Sequence, residues 1–280
     1  VLYSMGFLSF DAFLLWFIGA NAINILIMAI LVMRMGNWSF KLERRYYKKR
    51  VTKLVSNYSA FTILSGVSNL LVSRIDILMI GFILGLQDVA IYTVAVAFGT
   101  VISSSTDAVG RVSLPYMASN IKAKKFKSVA LLYSQTAIIQ TLFGGFVFVL
   151  IWINADAVLS FIGPQYVGGK YVILYLGLAK MIDVATGVNG LILLSSRYYR
   201  YDTYTSLMLV AITVATNFIF IPIMGIEGAA LATTISLVLY NFVKVLLIQW
   251  KMNMQPFSVK TLVAFLVLGV ILAIGIYFPT

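Results

Sequence analysis

The fold is decided by residues 58–84, which read YSAFTILSGVSNLLVSRIDILMIGFIL. This stretch is apolar almost throughout, yet it contains Arg74 and Asp76. A membrane-spanning helix needs about 20 apolar residues, so the stretch is long enough to cross a bilayer. The whole chain has the same character, with 61% hydrophobic residues, 11% charged residues and a mean hydropathy of +0.98. We therefore predict a polytopic integral membrane protein.

Seven further apolar stretches extend this prediction to an all-α protein with eight transmembrane helices. Continuous apolar runs favour helices, because the strands of a membrane barrel alternate in polarity over about 10 residues. The eight predicted helices are 12–33, 58–84, 89–114, 129–152, 171–195, 204–221, 227–249 and 261–278.

The 21 Lys and Arg residues are distributed unequally between the two sides of the predicted bundle. If the odd-numbered helices run from outside to inside, the inner connections hold 16 of these residues and the outer ones hold only Lys170. The positive-inside rule then places residues 34–57 and 115–128 in the cytoplasm. This bias accounts for the net charge of +12 without a nucleic acid partner.

The polar stretch 34–57 is predicted to be a basic cytoplasmic linker between two lobes. Residues 1–33 would then be the last helix of an N-terminal lobe, 58–250 a six-helix C-terminal lobe, and 251–280 an additional C-terminal helix. Basic residues next to a membrane bind anionic lipids. The residues predicted to do so here are Arg44, Arg45, Lys48, Lys49 and Arg50.

The chain contains no Cys and no His. Thiolate and imidazole metal sites, Cys nucleophiles and His general bases are therefore excluded. An integral-membrane glycan polymerase or ligase typically carries a large outer loop with catalytic residues. The longest outer connection here, 153–170, has Asp156 as its only carboxylate. We predict no enzyme activity, no catalytic residue, no metal site and no cofactor.

Four ionisable residues lie close to the middle of predicted helices: Arg74, Asp76, Lys180 and Asp183. From the rise of an α-helix, Arg74 and Lys180 are about 14 Å from the outer ends of their helices, in a hydrocarbon core about 30 Å thick. Charged groups at this depth are costly, so they usually face a cavity, a partner or a substrate path.

Two interpretations of these charges remain open. In the first, they form an ion-pair network that joins their two helices, with Lys180 and Asp183 paired across one turn. In the second, Arg74 and Lys180 face a hydrated cavity and bind an anionic head group, and Asn189 lines the same cavity. Asp76 and Asp183 would then bind the proton or sodium ion that couples transport to an ion gradient.

The remaining intramembrane charges are given structural interpretations. Asp107 and Arg111 lie four residues apart near the inner end of the third helix and are predicted to form an intrahelical pair. Lys244 lies about a turn and a half from the inner end of its helix, so its ammonium group is predicted to snorkel to the interface.

Three segments resemble a known family. RIDILMIGFILGLQDVAIYTVAVAFG (residues 74–99) resembles the seventh and eighth helices of the Wzx-type polysaccharide-biosynthesis flippases, which belong to the multidrug/oligosaccharidyl-lipid/polysaccharide exporter superfamily. FIGPQY (161–166) resembles the turn after the family's ninth helix. IPIMGIEGAALATTIS (221–236) resembles the opening of its twelfth helix. Asp76 matches the Asp of the family's seventh helix.

The resemblance implies a C-terminal fragment, covering the sixth to thirteenth helices of a 14-helix transporter whose two six-helix lobes form a V. The fragment alone is not expected to transport. The implied substrate is an oligosaccharide on an undecaprenyl diphosphate carrier. Alternating access would turn it from the inner to the outer leaflet of the bacterial cytoplasmic membrane. Two relatives within the superfamily remain as alternatives: a multidrug cation antiporter, which would favour acidic cavity groups, and a peptidoglycan-precursor flippase.

Overall fold

A computed structural model describes residues 10–34 and 49–277, and these residues form helices joined by short turns, without strands. The predicted all-α class is therefore confirmed for this part of the chain. The helices are α1 (Phe10–Arg34), α2 (Lys49–Ile83), α3 (Leu86–Lys122), α4 (Phe126–Ile153), α5 (Ala155–Ile162), α6 (Lys170–Ala185), α7 (Asn189–Ser195), α8 (Tyr199–Met252) and α9 (Val259–Tyr277). A 3₁₀ turn, Pro164–Gly169, connects α5 to α6.

The chain divides into two compact units, residues 1–54 and 55–280. The described part of the first unit contains α1 and the beginning of α2, which starts at Lys49, within the predicted linker. Of the residues predicted to bind anionic lipids, Lys49 and Arg50 are exposed at this helix start. Arg44, Arg45 and Lys48 lie outside the described residues. The second unit contains the remaining helices and the intramembrane charges considered in the sequence analysis.

Five of the described helices are long and apolar enough to cross a membrane: α1, α2, α3, α4 and α8. A sixth span is formed if α6 and α7, which meet at an angle of 47°, are counted together. The described apolar part of α9, Val259–Ile271, is shorter. The predicted count of eight spans is therefore not confirmed, and the two-lobe architecture stays a prediction.

The longest helix, α8, folds back on itself. Gly225 has φ +61° and ψ −137°, which is not a helical conformation. The Asp202 carboxylate lies 2.7 Å from the Lys244 ammonium group, although an uninterrupted helix would separate these residues by about 60 Å. The hydroxyls of Thr216 and Ser236 are 3.2 Å apart. The predicted helices 204–221 and 227–249 are thus two antiparallel arms, here called the first arm (199–224) and the second arm (226–252).

Two glycines allow this reversal. A left-handed φ is adopted readily only by glycine, and Gly225 supplies it at the turn. Gly228 approaches the first arm so closely that a Cβ atom there would lie 2.1 Å from the carbonyl oxygen of Phe220. Both glycines belong to the segment 221–236, where they are three residues apart, so this part of the family resemblance has a structural reason.

Replacing Gly228 with alanine is expected to destabilise the folded protein by about 3 kcal/mol, because an added methyl group in a packed interface forces the backbone apart. Thermal unfolding of the detergent-solubilised protein measures the effect. Gly269→Ala is the matched control, since a Cβ atom at Gly269 meets nothing within 4 Å. Equal melting temperatures for the two variants would contradict the close approach of the arms.

The charged residues that lie outside the helix centres differ between the two ends of the bundle. At the end where α8 begins and finishes, Tyr58 of α2 packs on Tyr199 with ring centroids 5.0 Å apart. Met117 and Val129 pack there with Ile248. The basic residues around this end, which we call the basic end, include Lys122, Lys124, Lys125, Lys127, Arg197, Arg200 and Lys251. The opposite end, called the turn end, carries Asp88, Asp156, Lys170 and Glu227.

Candidate functional site

A cavity of about 840 Å³ is formed by residues of α2, α3, α6, α7 and both arms of α8. All five residues predicted to form the site line it: Arg74, Asp76, Lys180, Asp183 and Asn189. Asp107, Arg111, Asp202 and Lys244 line it as well. In the described part of the chain, the cavity wall therefore carries four cationic and four acidic side chains.

Asp76 is held by neutral donors. Its side chain is buried, with the residue 7% exposed. Oδ1 accepts a hydrogen bond of 2.6 Å from Nδ2 of Asn217, and Oδ2 accepts one of 2.6 Å from Thr233 and one of 3.0 Å from Tyr92. These donors belong to α3 and to both arms of α8, so the carboxylate joins three elements to α2. Among the described residues, Oδ1 of Asn217 is buried beside this site without a hydrogen-bond donor.

Arg74 and Lys180 are not paired with a carboxylate. In residues 10–34 and 49–277, the side-chain ion pairs are Lys170–Asp156 and Lys244–Asp202. Arg74 is exposed on the cavity side of α2, and Lys180 is half-buried. The Lys180 stem passes α3 at Gly99, where an added Cβ atom would lie 3.5 Å from Cγ. The ion-pair network considered from the sequence, including the Lys180–Asp183 pair, is therefore not formed.

Asp183 and Asn189 lie on either side of the break between α6 and α7. Oδ1 of Asp183 accepts a hydrogen bond of 2.9 Å from Asn241 of the second arm, and Asn189 donates one of 2.8 Å to the Asn241 amide oxygen. Gly187, with φ +62°, forms the break, and a Cβ atom there would lie 3.0 Å from the backbone nitrogen of Ala137. The bend is therefore fixed by packing on α4 and by an amide network that lines the cavity.

The prediction for Lys244 is wrong. Its ammonium group does not snorkel but is buried against Asp202 at 2.7 Å, with side chains 4% and 9% exposed respectively. Lys244 also donates a hydrogen bond to the hydroxyl of Tyr240. The sequence interpretation placed Asp202 in a loop, whereas the residue lies in the first turn of α8 and the hairpin brings it opposite Lys244.

The predicted Asp107–Arg111 ion pair is also absent from the described residues. Nε of Arg111 instead donates a hydrogen bond of 3.4 Å to the backbone carbonyl of Asp107. Both side chains line the cavity, as do the four charges near the helix centres.

The partners of the predicted carboxylates were not identified from the sequence as members of the site. They are neutral residues on other helices: Tyr92, Asn217, Thr233 and Asn241. Polar residues inside apolar runs are the available signal, but such residues are also common at ordinary contacts between membrane helices. Only the fold shows which of them reach a carboxylate.

The described chain is thus a helical, multi-pass membrane protein with a charged internal cavity. A model of the family described as polysaccharide biosynthesis protein matches residues 2–121. The matched residues include 74–99, so the predicted family resemblance is confirmed there, whereas 161–166 and 221–236 lie outside the match. Comparison with curated proteins and with solved structures gives no match.

Proposed function

We propose that this protein moves an undecaprenyl-diphosphate-linked oligosaccharide from the inner to the outer leaflet of the bacterial cytoplasmic membrane. The observation that carries the proposal is that Arg74 and Lys180 line one cavity and neither is paired with a carboxylate among the described residues. The match to polysaccharide biosynthesis proteins supports the same class of substrate.

The chemistry of the two cations suits a diphosphate. An unpaired cation inside a membrane protein is costly, so an anion from a ligand gives it a favourable partner. The guanidinium group of Arg74 offers a planar fork for two phosphate oxygens, and the Lys180 ammonium group acts as a point charge. Asn189 would contact the same head group from the break between α6 and α7.

The size of the cavity fits part of the substrate. Ligand sites typically have volumes of about 300–1,000 Å³, and the cavity has a volume of about 840 Å³. This volume accommodates a diphosphate with its first sugar, whereas a polyprenyl chain is much larger. The head group would therefore enter the cavity while the chain stays in lipid.

Asp76 is the stronger candidate for the coupling site, with a proton or a sodium ion as the coupling ion. Its carboxylate is surrounded by neutral donors rather than by a cation, so its charge is not already neutralised. The unpartnered Oδ1 of Asn217 adds an acceptor beside it. Asp183 stays the second candidate, since only its Oδ1 accepts a hydrogen bond, from Asn241.

Two alternative functions are less well supported by the cavity. A multidrug cation antiporter needs free carboxylates. Three of the four cavity carboxylates, those of Asp76, Asp183 and Asp202, already accept hydrogen bonds or an ion pair, while Arg74 and Lys180 have no acidic partner in the described chain. A glycan polymerase or ligase needs a catalytic group next to its acceptor. We propose a transporter rather than an enzyme.

The test is transport by the full-length gene product in liposomes. The probe is undecaprenyl-diphosphate-linked N-acetylglucosamine, and its exposure to a membrane-impermeant sugar-oxidising reagent reports the leaflet. We expect protein-dependent movement of this probe between leaflets, with empty liposomes as the control. Movement of a cationic dye alone would support the antiporter, and movement of a peptide-bearing lipid alone would support the peptidoglycan-precursor flippase.

A further inference from the structure

The buried pair of Lys244 and Asp202 has no role in the transport steps described above. Both side chains line the cavity, yet they are 4% and 9% exposed. Burying an ion pair is costly, and apolar residues of similar volume often replace such a pair without loss of stability. Joining the two arms of α8 is therefore not a sufficient reason for charges at this position.

The surroundings of the pair come from three helices. Ser65 of α2 donates a hydrogen bond of 2.9 Å to Oδ2 of Asp202. The Tyr240 ring of the second arm lies 4.3 Å from the Lys244 ammonium group. On the side of α7 the pair meets Gly190, where an added Cβ atom would lie 3.2 Å from Nζ of Lys244 and 3.7 Å from Oδ1 of Asp202. Gly190 itself lines the cavity, and because it has no side chain, α7 approaches both charges more closely than a residue with a Cβ atom would allow.

The pair lies nearer to the basic end than Arg74 does. Ser65 marks its level on α2, and Arg74 follows nine residues later, about 13 Å along the helix. With the basic end in the cytoplasm, as the positive-inside rule predicts, a head group from the inner leaflet reaches the level of Lys244 before that of Arg74.

We propose that Lys244 is a second anion-binding group of the cavity, occupied by Asp202 until a phosphate or diphosphate group takes the place of the carboxylate. The displaced carboxylate keeps the hydrogen bond from Ser65, and the anion then moves on to Arg74 and Lys180. This inference rests on the proposed function, because it assigns the entry step of the same substrate class.

The direction in which one substitution changes the affinity for undecaprenyl diphosphate distinguishes this inference from a purely structural role of the pair. Asp202→Asn preserves the side-chain shape and the hydrogen bond from Ser65, and it leaves the Lys244 charge unmasked. We expect undecaprenyl diphosphate to bind the purified full-length protein about tenfold more tightly, because a single close charge contributes an effect of at least this order. A pair that only holds the arms together predicts no gain in affinity.

The gain must depend on Lys244. In the double variant Asp202→Asn/Lys244→Met, no charge is left uncompensated, and the gain in affinity should disappear. Inorganic diphosphate is the second probe, and uncharged undecaprenol is the control lipid. A gain for both diphosphates identifies the free anion as sufficient, and a gain for the lipid alone identifies the lipid head group. Either outcome supports the inference.

The result that overturns the inference is unchanged affinity in Asp202→Asn, or a gain that persists in the double variant, while the wild-type protein binds undecaprenyl diphosphate. The proposed function fails differently: undecaprenyl diphosphate would then bind no better than undecaprenol to the wild-type protein, and Arg74→Ala would not weaken its binding. Measuring all four proteins with the three probes therefore separates the two failures.

Discussion

Replacing Arg74 with alanine is expected to abolish surface polysaccharide while leaving the amount of protein in the membrane unchanged. Arg74 is exposed to the cavity, and no carboxylate pairs with it in the described chain. Its removal therefore leaves no buried acid without a partner. A hydrogen bond to a charged group contributes about 1.5–3 kcal/mol, so the loss of a two-pronged contact lowers transport about a hundredfold or more.

The conservative variant refines this expectation. Arg74→Lys should restore transport only in part, because an ammonium group keeps the charge but cannot form two parallel hydrogen bonds to one phosphate. Arg197→Ala is the matched control, since Arg197 is an exposed arginine at the basic end and donates a hydrogen bond to Tyr198. Surface polysaccharide and membrane abundance are measured side by side. A parallel loss of both in Arg74→Ala would indicate a structural role for Arg74.

Much of the fold could be predicted from the sequence because a bilayer imposes a simple rule on each segment. An apolar run of about 20 residues must form a helix, since backbone groups in lipid need partners within the segment. The runs 12–33, 89–114 and 129–152 accordingly lie within α1, α3 and α4, and the run 58–84 lies within α2 except for its last residue, Leu84. Charges inside such runs point to a cavity, a partner or a substrate path, because burial in lipid is costly for them, and Arg74, Asp76, Lys180 and Asp183 line the cavity.

The first and last residues of the helices were less predictable, because hydrophobicity identifies the part of a helix that lies in the membrane and not the residue at which the helix ends. α2 begins nine residues before the predicted start, where a basic stretch continues the helix outside the apolar run. The run 171–195 is divided by Gly187, whose left-handed φ breaks α6 from α7. A single glycine in an apolar run does not by itself predict such a break, since small residues are also common where membrane helices pack together.

The partners of the charges could not be predicted, because they depend on which helix faces meet. The distance between Asp202 and Lys244 follows from the reversal at Gly225, which no local pattern fixes to the residue. The same holds for Asp76, whose donors Asn217 and Thr233 come from opposite arms of the hairpin. The partner of a charged side chain is therefore determined by tertiary contacts, and an opposite charge one turn away on the same helix, as for Lys180 and Asp183, does not predict it.

Asp76→Asn is expected to remove the dependence of transport on an ion gradient while the protein remains folded. The new amide still accepts hydrogen bonds from Thr233 and Tyr92 through one oxygen. Asn217 can rotate its side-chain amide, so that its oxygen, now buried without a donor, accepts from the new amide group. The site therefore keeps its hydrogen bonds and loses only the carboxylate, the group that we propose takes up a proton or binds a sodium ion.

The measurement uses the full-length gene product in liposomes with an imposed pH gradient, with and without a sodium gradient. A pH difference of one unit supports an about tenfold concentration ratio for each coupled proton. We expect the wild-type protein to accumulate the lipid-linked probe toward one leaflet and Asp76→Asn to reach only an equal distribution. Asp88→Asn is the matched control, because Asp88 lies outside the cavity, at the turn end. Gradient-driven accumulation that persists in Asp76→Asn would exclude Asp76 as the coupling group and leave Asp183 as the next residue to replace.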